Sequence, residues 1–280
     1  MERRDALFDL VCDISNLERA WTEVWGGRTV AARQQGGGMD GVTVADWARD
    51  WPTRLRRLQR ELLRGAYEPS ETLWAEIPRR EAGRTRRLGI PTVTDRVAQR
   101  AVKNVLEPIF EAEFLPCSHG FRPGRSVFTA VSQVLWHEAQ GRRWVLDADI
   151  EACFDTIPHA RLLALIDALG DRRITRLIAQ WCEVGTPTPG YGVAQGAVIS
   201  PLLANIYLHG FDTAMVEAGA ALVRYADDFV VMCVDLEEAL WALRRAAAAL
   251  EGLELRLNEE KTVILPFGLD FTFLGAQFAV

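Results

Sequence analysis

The run from Ala221 to Asp235, ALVRYADDFVVMCVD, constrains this chain more than any other stretch. Two β-rich segments flank a central Asp227-Asp228, the pattern of a hairpin with adjacent carboxylates at its tip. Carboxylates held side by side between buried strands repel each other unless cations neutralise them. Two Mg²⁺ ions would do so; the other reading of a lone Tyr-Ala-Asp-Asp is an ordinary polar turn. A second segment, LDADIEACFD, ends a strand on Asp149, with Phe154 five positions later. Two-metal phosphoryl transfer needs a carboxylate from a neighbouring strand to bridge ions about 4 Å apart, and Asp149 can supply it. Asp147 has the same strand-face parity and competes for that role, although its fifth follower, Ala152, is too small to form an aromatic wall.

The 280 residues, 49% of them apolar, suffice to bury the core of one large domain or two modest ones, so a disulfide-stapled miniprotein is excluded. A charged fraction of 25% and the lack of any 18-residue apolar run exclude a disordered chain and a transmembrane span. Five scattered cysteines without a CxxC, and an N-terminus without the apolar core of a signal peptide, predict a reduced, cytoplasmic protein with no structural zinc. The four histidines show no metal-ligand spacing and are assigned to structure. No nucleophilic triad and no Gly-rich P-loop occurs.

A net charge of −6 argues against a generic nucleic-acid binder, but residues 52–103 hold 13 basic against six acidic side chains. A basic lobe on an acidic body fits a protein that grips phosphates in one place and metal ions in another. For the stretch RLRRLQRELLR a solvated helix face is an equally good reading. Thirty arginines against two lysines reflect first a GC-rich genome and only secondarily phosphate binding.

Periodicity predicts a helix over residues 1–25, a break at Gly36–Gly41, a second helix from Val44 to Arg64 and then a loop. The basic segment from Pro78 to Pro91 leads into an amphipathic helix ending near Pro108. WVLDADI suits a strand, and TIPHARLLALIDALG a helix with Pro158 in its first turn. The 28 residues between Glu183 and Asp212 carry no acidic or basic side chain, so that stretch should be buried or pressed against a ligand. Within it, Ser200-Pro201 forms an N-cap and N1 pair for a helix LLANIYL. A helix over Leu236–Leu250, a strand with a short loop to Lys261, and a hairpin at FTFLGAQF close the chain.

Seven blocks in colinear order resemble reverse transcriptases of the bacterial group II intron type. They are RRLGIPTVTDRVAQRAV (86–102), LEPIFEAEFLPCSHGFRPGRS (106–126), DIEACFDTIPH (149–159), QGAVISPLLANIYL (195–208), RYADDFVV (224–231), LNEEKT (257–262) and FLG (273–275). GGGMDGVT (36–43) resembles the extension this lineage carries ahead of its fingers. The resemblance implies an α+β right-hand polymerase fold with an antiparallel-sheet palm and mixed helical fingers. Its implied layout is an N-terminal helical extension (1–65), fingers (66–143 and 157–194), the palm strand with the first aspartate (144–156) and the rest of the palm (195–280).

The same resemblance makes Asp149, Asp227 and Asp228 the metal-binding triad for two Mg²⁺ ions, with Mn²⁺ as a substitute. Phe154 becomes the wall beneath the incoming sugar, with a plain core aromatic as the alternative. Arg79 and Arg86 match the basic finger residues that hold the triphosphate; the family has lysine after Ile-Pro and a loop one residue shorter, so Arg80 or Arg84 competes. Gln195 matches the glutamine of the Pro-Gln-Gly motif, although Ala194 and Ala197 replace the usual Pro and second Gly. Lys261 matches the lysine proposed to protonate pyrophosphate, against a solvated lysine. Arg122 and Arg125 are assigned to template or primer or to organising the fingers, against a structural salt bridge.

The implied activity is RNA-directed DNA polymerisation: an RNA template, a DNA or RNA primer and dNTPs, with no membrane. The family normally continues into a helical thumb, which is not found here, so a protein partner is expected to supply the clamp. An integrase-type adaptation protein is one such partner, in keeping with stand-alone members tied to CRISPR adaptation or other defence. The alternatives are a truncated or split intron-encoded protein and a non-catalytic nucleic-acid-binding scaffold.

Overall fold

Capping residues decide where the N-terminal helices divide. The computed structural model describes residues 6–27, 29–34, 36–78, 85–268 and 271–278. Helix α1 (Ala6–Cys12) stops at Asp13, whose carboxylate accepts from Ser15 N at 2.8 Å and so starts α2 (Ile14–Gly26). The single helix expected over 1–25 is therefore two. After the short α3 (Val30–Arg33), the helix expected over Val44–Arg64 also divides, into α4 (Val44–Ala48) and α5 (Trp51–Leu63). Pro52 sits in the first turn of α5 and cannot extend an incoming helix through its own nitrogen. On α5, Leu55, Leu58 and Leu62 are buried while Arg56, Arg57, Arg60 and the C-cap Arg64 are exposed.

The loop expected after Arg64 contains a hairpin. Strands β1 (Leu73–Pro78) and β2 (Thr85–Ile90) pair antiparallel, with Leu73 opposite Ile90 and Pro78 opposite Thr85. Helix α6 (Val93–Glu111) runs through Pro108 instead of ending there. Proline deprives only the Asn104 carbonyl of its helical donor, and Arg19 Nη2 reaches that carbonyl at 3.4 Å.

The remaining elements follow in order: α7 (Val127–Ala139), β3 (Trp144–Asp149), α8 (Cys153–Thr156), α9 (His159–Asp167) and α10 (Arg172–Val184). Next come α11 (Ser200–Glu217), β4 (Ala221–Tyr225), β5 (Asp228–Cys233), α12 (Leu236–Gly252), β6 (Val263–Pro266), β7 (Thr272–Phe273) and β8 (Ala276–Gln277). Pro158 takes the N-cap position of α9, one step before the first turn. Ser200 is already the first helical residue of α11, which continues well past Leu208. The strand expected ahead of Lys261 reduces to one bridge, Leu257 to Ile150, and β6 begins only after that lysine.

Two compact units result. The first comprises Met1–Phe110 and Pro158–Leu203, and it contains β1, β2 and most of the charge-free stretch. At its centre the buried Asp95 accepts from Tyr67 Oη and Thr92 Oγ1, each at 2.6 Å, and Trp181 Nε1 donates to Tyr67 Oη at 3.0 Å. Burial raises the Asp95 pKa, opposed by those hydrogen bonds.

The second unit comprises Glu111–Ile157 and Ala204–Val280. Its antiparallel sheet has the order β4-β5-β3-β6. On one face Val145, Val223, Val230 and Met232 pack with Ala130 and Val134 of α7 and with Phe267, Phe271, Phe273 and Phe278. On the other, Phe229 lies against Phe211 of α11, ring centres 5.0 Å apart. The expected hairpin at the chain's end is present as β7 and β8, turning through Leu274 and Gly275 at positive φ. Among the described residues no helix is long and apolar enough to cross a membrane.

Candidate active site

Register places the acidic residues. Tyr225 pairs with Asp228 across β4 and β5, and Asp228 pairs with Asp149 across β5 and β3. Directly paired residues share a face, so Tyr225, Asp228 and Asp149 form a row across one side of the sheet. The row continues past Asp149: Asn258 Nδ2 donates to Oδ1 at 3.3 Å and Lys261 Nζ to Oδ2 at 3.4 Å. Asp147 lies on the same face two residues deeper, opposite Val230 and Val263. Ala226 and Asp227 form the two-residue tip, Ala226 with φ +60°, and the Asp227 carbonyl accepts from Ile150 N at 3.1 Å.

Beneath this tip lies a buried support that sequence reasoning did not find. Arg224 is fully buried; its Nη2 is 2.6 Å from Asp212 Oδ2 and 2.9 Å from Ser118 Oγ, and its Nη1 donates to the Ala226 carbonyl at 2.9 Å. Arg224 N donates to the Cys117 carbonyl and His119 N to the Arg224 carbonyl, each at 2.8 Å, which seats residues 117–119 along β4. Gly120 then packs so closely that a Cβ there would lie 2.4 Å from Ala226 N, and Asn205 Nδ2 holds the Gly120 carbonyl at 2.8 Å. A readable signal existed: Arg224 is a lone charge inside an apolar strand run, and a buried charge requires a buried partner.

The electrostatics show a site short of positive charge. Desolvation, a hydrogen bond donated to Asp149 and the charges of Asp227 and Asp149 push the Asp228 carboxyl up to about 7, with Lys261 opposing. Asp147 rises to about 6 through desolvation and the Asp149 charge. In the chain alone this shift favours the protonated form of the Asp228 carboxyl toward neutrality. The register brings Asp149 and Asp228 together, and Asp227, next along the chain at the tip, is close enough for its charge to act on Asp228. Two carboxylates paired on one face, one of them with its pKa raised by burial and by its acidic neighbours, fit a divalent cation, which would neutralise them.

The other predicted residues divide. Phe154 is half-buried on α8, which follows Ala152 in a left-handed conformation at φ +44°. Gln195 is half-buried in the first unit, and its carbonyl accepts from Gly89 N at 2.7 Å. Ala194 and Ala197 are buried, and a Cβ on Gly196 (φ +104°) would strike the Gly89 carbonyl at 2.8 Å, so the loop needs its glycine. Arg79, Arg80 and Arg84 lie outside the described residues; the Arg86 backbone belongs to β2, opposite Ile77.

Arg122 corrects the template assignment. It is buried, with Nε and Nη2 on Glu111 at 2.9 and 2.7 Å and Nη1 on the carbonyls of Leu115 and Ser118 at 2.7 and 2.8 Å. It is a structural ion pair, and its donors are used within the chain. Arg125, half-buried, donates to the Pro116 carbonyl at 3.1 Å.

A four-stranded antiparallel sheet carrying a carboxylate row defines a polymerase palm, and residues 77–278 match the family of reverse transcriptases (RNA-dependent DNA polymerases). The chain belongs to that family, whose activity class is RNA-directed DNA polymerisation on a nucleic-acid template and primer with divalent metal ions. Protein YkfC of Escherichia coli K12 is 34% identical over 85% of this chain and 74% of its own. The group II intron-encoded protein LtrA of Lactococcus lactis subsp. cremoris is 33% identical over 76% of this chain, a match that spans 36% of LtrA. Among solved structures, a partial Cas6-RT-Cas1–Cas2 complex superposes with a TM-score of 0.51 and 25% identity over 88% of this chain and 40% of that one.

Proposed function

We propose that this chain extends a primer 3′ end with dNTPs on an RNA template at the carboxylate row of the second unit. The observation that carries the reading is the pairing of Asp149 with Asp228, which sets two carboxylates on one face beside Lys261. Asp149, Asp228 and Asp227 would hold two Mg²⁺ ions, or Mn²⁺ in their place, and these would activate the primer hydroxyl and neutralise the triphosphate. Lys261, held by Asp149, stands ready to give a proton to the pyrophosphate leaving group. Phe154 leaves the first strand of the row and walls the incoming sugar. Gln195, whose carbonyl accepts from Gly89 N, is assigned to the nascent pair, and Arg79 and Arg86 to the triphosphate, as the family resemblance implies.

In this reading the second unit is the palm, and the first is the fingers with their N-terminal extension. Residues 111–143 go with the palm, because residues 117–119 run along β4. A non-catalytic scaffold has no use for carboxylates kept in repulsion, which disfavours that alternative. For the biological role, spacer acquisition beside an integrase-type partner is supported by the 25% identity to a chain of the Cas6-RT-Cas1–Cas2 complex. The 33% identity to LtrA supports a second reading, a protein of group II intron origin.

The test is primer extension on poly(rA)–oligo(dT) with Mg²⁺, wild type against Asp228→Asn. Incorporation that requires both the metal and the carboxylate is expected, and equal incorporation by the variant would overturn the site. Neighbouring genes separate the two roles: an integrase gene beside this one supports acquisition, and flanking ribozyme sequence supports the intron.

A further inference from the structure

Phe121 is held in an unfavourable backbone conformation with its ring half in solvent, at the edge of the carboxylate row. Its φ is +59° and 49% of it is exposed. A bulky residue rarely adopts that left-handed region unless its surroundings over-determine it, and such outliers gather at functional sites. Here both neighbours are fixed. Gly120 is pressed against Ala226 N, and Arg122 is locked by Glu111 and by the carbonyls of Leu115 and Ser118. The loop thus presents residue 121 at one point beside the tip. The exposed ring gains little from burial, so packing within the chain does not account for it.

The ring of Phe121 lies 6.3 Å from that of Tyr225, inclined by 45°. Tyr225 is the first member of the row that runs through Asp228 and Asp149 to Lys261. The row is therefore directional, with two aromatic rings at one end, carboxylates in the middle and a lysine at the other. In phosphoryl transfer the attacking and leaving oxygens stand on opposite sides of phosphorus, roughly in line. If the leaving phosphates go to the Lys261 end, as in the proposed function on which this step rests, the aromatic end faces the nucleoside that carries the attacking hydroxyl. That nucleoside offers an apolar sugar edge and a base face, surfaces that aromatic rings bind without regard to sequence.

We infer that Phe121, backed by Tyr225, is a primer-binding residue whose ring packs against the 3′-terminal nucleoside of the primer. Phe121→Ala and Phe121→Gly test it in primer extension, titrating primer–template at saturating dTTP and then dTTP at saturating primer–template, with Kd for the recessed primer–template measured by anisotropy. Loss of one such contact should raise the primer–template KM and Kd about tenfold while the KM for dTTP stays within about twofold. Melting temperature separates binding from folding. Glycine takes φ +59° freely, so Phe121→Gly should melt no lower than wild type while binding primer more weakly. Unchanged primer–template KM and Kd in that folded variant would overturn the inference, as would an equal rise confined to dTTP. Failure of the polymerase reading would appear differently, as no extension by wild type.

Discussion

Arg224 and Asp212 face each other with Nη2 and Oδ2 2.6 Å apart and neither side chain exposed, and the same guanidinium holds the Ala226 carbonyl at the hairpin tip. An ion pair in so dry a place is costly to form and more costly to break, because removing one partner strands the other charge. Asp212→Ala should lower stability by about 3–5 kcal/mol, read from urea denaturation. Adding Arg224→Met should recover part of that loss. A single-variant loss below about 1 kcal/mol, the size of an exposed pair, would remove this pair from its supporting role.

The carboxylate row predicts opposite effects on rate and on stability. Asp228→Asn should cut primer extension by roughly a thousandfold or more, as expected for a group that acts as part of a catalytic set. Without metal the same variant should be at least as stable as wild type above neutral pH. The Asp228 carboxyl is raised from 3.8 to about 7, so its favourable share of stability is present below about 3.8 and lost as pH climbs through about 7. Melting curves in EDTA at pH 4 and pH 8 check this: equal midpoints at pH 4 and a higher midpoint for the variant at pH 8.

Asp147 separates ligand from neighbour. It shares the face of Asp149 but lies two residues deeper, opposite Val230 and Val263, with a carboxyl raised to about 6. Asp147→Asn should keep primer extension within about threefold of wild type, where removing a metal ligand costs orders of magnitude. It should also stabilise the metal-free protein above pH 6, since a raised carboxyl loses its contribution there. Extension that collapses in Asp147→Asn but survives in Asp149→Asn would exchange their roles.

Much of this site is legible in the sequence because its register is local. The tip of the β4–β5 hairpin is fixed by two β-rich runs two residues apart, and Asp149 is marked by the apolar strand before it. What is not legible comes from distant partners. Arg224 reads as one charge in a strand, and nothing local reveals that Asp212, Ser118 and Asn205 close around it. For Arg122 the sequence leaves template contact, organisation of the fingers and a salt bridge open, until Glu111, eleven residues earlier, is seen to occupy its guanidinium. The β1–β2 hairpin is hidden by its basic and Gly-containing second strand, in which pairing overrides weak local preference. Pro108 misleads for the opposite reason, since a single missing hydrogen bond is made good by Arg19.

Lys261 stands 3.4 Å from Asp149 Oδ2, a contact that a freely solvated lysine would not make. Two roles remain to be separated: holding Asp149 in place and giving a proton. Lys261→Arg keeps the positive charge but cannot release a proton near neutrality, whereas Lys261→Met loses both. A proton-donor role predicts that both variants lower kcat by about a hundredfold or more, at little cost in dNTP KM. A purely positioning role predicts that arginine rescues the rate. The solvent deuterium isotope effect on single-turnover extension gives a second reading, and it should change only if the lysine proton moves in the slow step.

Phe154 offers a test independent of the metals. It sits on the short helix α8, five residues beyond Asp149, and is half-buried, so part of its ring is free to meet a ligand. A phenyl ring beside C2′ of the incoming nucleotide excludes a 2′-hydroxyl by bulk and offers it no hydrogen bond. Discrimination of this kind is steric and relaxes when the ring is cut away. Phe154→Val should therefore raise ribonucleotide use relative to deoxyribonucleotide by about tenfold or more, with some loss of overall rate. The competing role, a core aromatic, predicts a stability loss of roughly 3–5 kcal/mol and an unchanged sugar preference. Half-burial points to a smaller loss, about 1–2 kcal/mol. Measuring the melting temperature together with the dNTP to rNTP incorporation ratio decides between them, and a folded variant with the wild-type ratio would reject the sugar wall.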